Sequence, residues 1–140
     1  MSDTRVELQA EVSMAREALF ALVSTQAGLA TWLDEVEFEL KVGSQVRFVL
    51  RDAEAVGEVL AIDAPQHVSW SWDWVAESLE APSAVAFDLI EHGARTHLTM
   101  RHVGLRNRAQ RDLHDQLWRY WLARLLDVVR LQAAGATTAP

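Results

Sequence analysis

The segment His67-Val68-Ser69-Trp70-Ser71-Trp72-Asp73-Trp74 alternates apolar and polar residues to its end, and from position 70 every apolar residue is a tryptophan. Side chains of a strand repeat every two residues, so Val68, Trp70, Trp72 and Trp74 share one face and Ser69, Ser71 and Asp73 the other. Burying one indole of roughly 200 Å² is worth on the order of 5 kcal/mol, so the chain must cover that face. Two readings satisfy this demand. The rings pack as a core strand, or they line a cavity for a flat apolar ligand, since binding pockets are mostly apolar with a few placed polar groups.

Length and charge narrow the setting. A chain of 140 residues is enough for one core, and we expect a single domain over residues 1–140, with its core at about 5–131 and a frayed tail over 133–140. No apolar run approaches the roughly 20 residues of a membrane span. The N-terminal segment has no signal-peptide pattern, and there are no cysteines, so a cytoplasmic protein is expected. Against 13 basic residues stand 20 acidic ones, a formal charge of −7 that opposes nucleic acid and anionic membranes as partners. Arg106, Arg108, Arg111, Arg119, Arg124 and Arg130 gather near the C-terminal end and read as a solvated helix face.

Val6–Val12 alternates cleanly as a first strand, with Val6, Leu8, Ala10 and Val12 inward. Ser13 reads as the N-cap of a short helix carrying Leu19, Leu22 and Val23, and a second helix fits residues 26–32 after Ser24-Thr25. Strands follow at Val36–Leu40, Gln45–Leu50 and Ala55–Ile62, with turns at Val42-Gly43-Ser44 and Asp63-Ala64-Pro65-Gln66. After the tryptophan strand come Ser83–Ile90 and Thr96–Val103, joined by a turn at Glu91-His92-Gly93-Ala94. From about Arg108 to Gln132 the period changes to 3.6. Leu113, Leu117, Trp121, Leu125 and Val128 form one row, and Trp118, Leu122 and Val129 its neighbour. Such a helix is roughly 37 Å long and crosses a whole sheet. The expected class is α+β: a curved antiparallel sheet of about seven strands wrapped around a long C-terminal helix, with two short helices after the first strand.

Several segments, in this order and spacing, carry a family resemblance. They are Trp32-Leu33, Val42-Gly43-Ser44, Gly57-Glu58-Val59 through Pro65, the tryptophan strand, Val85-Ala86-Phe87, Thr96 to His102 with Gly104, and the helix with Trp118. Over about residues 5–131 the chain resembles the START-like (SRPBCC) ligand-binding superfamily, and within it the branch named after the activator of heat-shock protein 90 ATPase. The resemblance implies the helix-grip fold. It also implies a range of functions: lipid and polyketide binders, aromatases, cyclases and co-chaperones.

The candidate chemistry is sparse. His102 shares a strand face with Leu98 and Met100 and would point inward, as a hydrogen-bond partner, a general base or a satisfied core histidine. Glu58 is buried if its strand runs unbroken with Val56, Leu60 and Ile62 inward, and exposed if Gly57 marks a bulge; the exposed reading is preferred. No residues are spaced as metal ligands, and no cofactor is expected. The preferred function is binding of a small hydrophobic, aromatic or polycyclic molecule between sheet and helix. Its expected lining is Trp32, Phe48, Trp70, Trp72, Trp74, Phe87, Met100, His102, Leu117, Trp118 and Trp121. The alternatives are a polyketide cyclase/dehydratase-like or hydrolase-like enzyme using His102 or Glu58, and a module that binds a chaperone or forms a homodimer.

Overall fold

The computed structural model describes residues 4–80 and 82–137, with side chains through residue 133. Strand β1 (Val6–Val12) leads into helices α1 (Arg16–Ser24) and α2 (Gln26–Ala30). Strands β2 (Glu35–Glu37), β3 (Gln45–Leu50), β4 (Ala53–Asp63), β5 (His67–Ser71), β6 (Asp73–Trp74), β7 (Ala84–His92) and β8 (Arg95–Val103) follow, and helix α3 (Arg108–Thr137) closes the chain. The curved sheet has the order β1-β8-β7-β5-β4-β3-β2, with β6 alongside β4. Every pairing is antiparallel. Helix α3 packs across the face that bears the tryptophans, where Trp118 and Trp121 meet Trp72.

The expected tryptophan strand is interrupted, which gives eight strands among the described residues where about seven were expected. Val68, Trp70 and Trp72 are all buried on the inner face, but regular pairing stops at Ser71 and resumes at Asp73. The cause lies across the sheet at Gly57, where an added Cβ would sit 1.8 Å from the Ser71 carbonyl oxygen. Only a glycine lets the two backbones approach this closely. The Ser71 hydroxyl accepts the Glu58 N–H at 2.9 Å, which fixes the crossing.

Strand β4 also settles its own phase. Ala55 and Val59 are buried and Glu58 is exposed on the outer face opposite Gln45. The register shift falls between Val59 and Ala61, not at Gly57. It leaves Leu60 46% exposed and returns Ile62 to the core side, against Val68.

Other boundaries differ from expectation for local reasons. Helix α1 follows Ala15, with no side-chain cap, because Ser13 and Met14 form a bend in which Met14 N–H bonds the Val12 carbonyl. The cap appears instead at α2, where the Thr25 hydroxyl accepts the Gly28 N–H at 3.0 Å. Strand β2 stops at Glu37 because the Phe38 N–H is taken by the Gln26 side chain. Helix α3 continues to Thr137, past Gln132; residues 138–140 of the expected tail lie outside the described residues. Its buried stripe is His114, Trp118, Trp121, Leu125 and Val129, so Leu113, expected inward, belongs to the adjoining surface and is 52% exposed.

Candidate functional site

The concave face is filled by its own side chains. Trp72 is the hub: Phe48 stacks on it with centroids 5.3 Å apart, and Trp74, His102, Trp118 and Trp121 surround it at 5.4–5.9 Å. Trp70 rests against Phe38, Phe48 and Phe87, and Trp32 meets Phe87 edge-on while donating its N–H to the Leu22 carbonyl. Edge and offset contacts of this kind add stabilisation beyond area burial. The indole N–H groups of Trp70 and Trp72 are buried without a hydrogen-bond partner among the described residues.

Two histidines sit within this cluster, their rings edge-on at 4.9 Å. An indole N–H can only donate, so the bond from Trp118 Nε1 makes His102 Nδ1 an acceptor and places the ring proton on Nε2. That proton goes to the Ser83 hydroxyl at 3.0 Å, and the Ser83 hydroxyl donates in turn to the Trp72 carbonyl. Three bonds thus run in one direction from α3 into the sheet. His114 follows the same logic: Nε2 accepts from Trp74 Nε1 at 2.9 Å, and Nδ1 donates to the Gln110 carbonyl at 2.7 Å. Burial, with the neighbouring His114 second, pushes His102 down from 6.5 to about 3. His114 is also lowered by burial, against the raising effect of its bond to Gln110. Both rings are neutral at pH 7, with both nitrogens engaged. A general base needs a free lone pair, which neither ring offers.

Open volume lies beside this cluster rather than within it. A groove of about 1100 Å³ runs along the N-terminal half of α3, walled by the β3–β4 hairpin and the segment Trp74–Leu79. Asp73 organises that segment: one carboxylate oxygen accepts the N–H groups of Trp74 and Leu79, and the other accepts the Ser78 hydroxyl. Trp74, Trp121, Leu117, Leu113 and Tyr120 supply the apolar lining. Leu113 and Tyr120 are 52% and 56% exposed because they face the groove and not the core. The rim is charged, with Asp34, Glu35, Asp52, Glu54 and Glu77 against Arg51 and Arg124.

Of the residues expected to contact a ligand, Trp74, Leu117 and Trp121 line the groove. Trp32, Phe48, Trp70, Trp72, Phe87, Met100, His102 and Trp118 are at most 1% exposed and lie behind it. His102 and Glu58 do not converge, one being buried in the cluster and the other exposed outside the sheet. Sequence reasoning missed Leu113, Tyr120, His114 and Leu79 as lining. One signal was present: the apolar face of α3 is wider than a single buried stripe requires, and its surplus at 113, 117 and 120 forms the groove wall.

A long helix held by a curved antiparallel sheet, with a groove at one end of their contact, defines a START-like helix-grip domain. Residues 13–130 match the family described as activator of Hsp90 ATPase homolog 1-like protein, and the chain belongs to that family. No curated protein matches it by sequence. Among solved structures, protein MLL2253 from Mesorhizobium loti is 22% identical with a TM-score of 0.82, over 90% of this chain and 96% of that one. PFC0360w, an HSP90 activator from Plasmodium falciparum, is 18% identical with a TM-score of 0.78, over 89% and 95%. The Aha1 dimer from Colwellia psychrerythraea is 16% identical with a TM-score of 0.78, over 89% and 95%. At these identities the likeness is one of fold. No helix among the described residues is long and apolar enough to cross a membrane.

Proposed function

We propose that this protein binds a small, largely hydrophobic molecule, planar in part, in the groove between α3 and the β3–β4 hairpin. The observation that carries the reading is the groove itself: about 1100 Å³ in size, with two indoles and a phenol ring along an aliphatic helix face. Ligand sites typically enclose roughly 300–1,000 Å³ and are lined by apolar and aromatic groups with few polar ones. Its floor is preorganised, since Trp74 is held by His114 and Trp121 packs on Trp72 and Trp118. The inner rings named above then act as the support of the site. We place the protein in the cytoplasm, a reading supported by the cysteine-free composition. A second reading, contact with a chaperone or a second copy, takes its support from the family and from the HSP90 activator and the dimer among its structural relatives.

The test is a titration with 1-pyrenemethanol, read by quenching of tryptophan fluorescence. Saturable quenching is expected. Leu113→Glu, at a half-exposed position of the wall, should weaken it at least tenfold without lowering the melting temperature. Absence of saturable binding, or binding untouched by that variant, would overturn the reading.

A further inference from the structure

We propose that the natural occupant of the groove is a cation: a planar aromatic or fused-ring molecule bearing a basic nitrogen that is protonated at neutral pH. This rests on the groove being a binding site, and it adds the charge of the ligand. The apolar lining accepts any flat hydrocarbon, so selection falls to the rim. Two of the rim acids are already matched. Asp34 accepts from Arg124 at 3.0 Å, and Glu54 is held by Arg47 at 2.7 and 3.1 Å. The side chains of Glu35, Asp52 and Glu77 have no hydrogen bond or ion pair among the described residues, and all three are exposed. Among the described lining residues, Arg51 is the one cation left against them once Arg124 is paired with Asp34. A ligand with its rings on Trp74 and Trp121 therefore meets an excess of negative charge at the mouth, within a chain whose net charge of −7 has the same sign.

The aromatic lining works in the same direction. Indole and phenol faces attract cations through their quadrupoles, and the groove wall already shows such a pair, Arg124 over the Tyr120 ring at 5.9 Å. A carboxylate would meet repulsion from the unmatched acids and gain only Arg51. An ammonium group at the rim keeps most of its water, so the desolvation that makes buried charges costly is avoided.

Three compounds sharing one ring system test this: 1-pyrenemethylamine, 1-pyrenemethanol and 1-pyrenecarboxylate, each titrated at low and high salt. We expect the amine to bind at least about fivefold more tightly than the alcohol at low salt, with the carboxylate weakest and the differences closing at high salt. Replacing Glu35→Gln, Asp52→Asn and Glu77→Gln together should narrow the gap between amine and alcohol. Equal binding of amine and alcohol, or tightest binding of the carboxylate, overturns the charge assignment and leaves the groove reading standing. No binding by any of the three overturns both. Binding that emerges only on dilution, as a dimer dissociates, puts a second copy in the groove and refutes the proposal.

Discussion

Acid should destabilise this protein through His102. Its ring is driven from 6.5 down to about 3 by burial and by the facing His114. Between those values the unfolded chain takes up a proton that the folded protein refuses, so stability rises with pH across the window and falls as pH drops through it. At pH 5.5 an unfolded histidine is about nine-tenths protonated, and integrating the linkage down from pH 8 gives a loss of about 1.4 kcal/mol. His114 is lowered as well, so its contribution has the same sign. The outer carboxylates interfere little. Glu7, Glu11 and Glu54 are held below 4.5, chiefly by hydrogen bonds from Arg101, His97 and Arg47, and so stay ionised at pH 5.5. The experiment is urea denaturation, followed by tryptophan fluorescence at pH 8 and pH 5.5, for the parent and for His102→Gln. At pH 8 the variant should lose about 1–3 kcal/mol, because Trp118 and Ser83 lose their partner. At pH 5.5 the gap between the two should shrink by about 1.4 kcal/mol. Parallel losses of stability in parent and variant would show that His102 is not held neutral and would undo the proton assignment drawn from Trp118.

Gly57→Ala places a Cβ against the Ser71 carbonyl and should cost about 1–3 kcal/mol, read as a lower urea midpoint; an unchanged midpoint would mean that the two strands can part freely. Trp121→Ala removes a ring packed on Trp72 and Trp118 and should cost about 3–5 kcal/mol in the same assay. A loss below about 1 kcal/mol would show that Trp121 is not part of the core.

The phase of most elements was legible because it is local information. Alternation put Val6, Leu8 and Val12 inward in β1, and the same rule placed Trp70 and Trp72 correctly. Long-range contacts were invisible to it. The break after Ser71 depends on a glycine fourteen positions earlier, and the early end of β2 on a glutamine side chain from α2. On α3 the rows at 113 and 114 compete. The chain buries a histidine in place of a leucine because Trp74 and the Gln110 carbonyl satisfy both ring nitrogens. That pairing has no signature along the sequence. The open groove was legible only in the surplus apolar width of α3 at Leu113, Leu117 and Tyr120, because the tryptophans themselves serve a packed core or a lined cavity equally well.

The sheet begins with its most distant partner. Among the described residues strand β1 pairs with β8 alone, and Glu7 meets Arg101 across a separation of 94 positions. On a ribosome adding about 5–20 residues per second, the first strand is made roughly 5–20 s before anything exists for it to pair with. Through that interval Val6, Leu8 and Val12 present an apolar stripe to every neighbouring nascent chain. Glu7 and Glu11, which later bind Arg101 and His97, alternate with that stripe and carry a charge at every stage of synthesis. Before they are ion-pair partners they are gatekeepers, keeping an orphan strand from finding the wrong sheet.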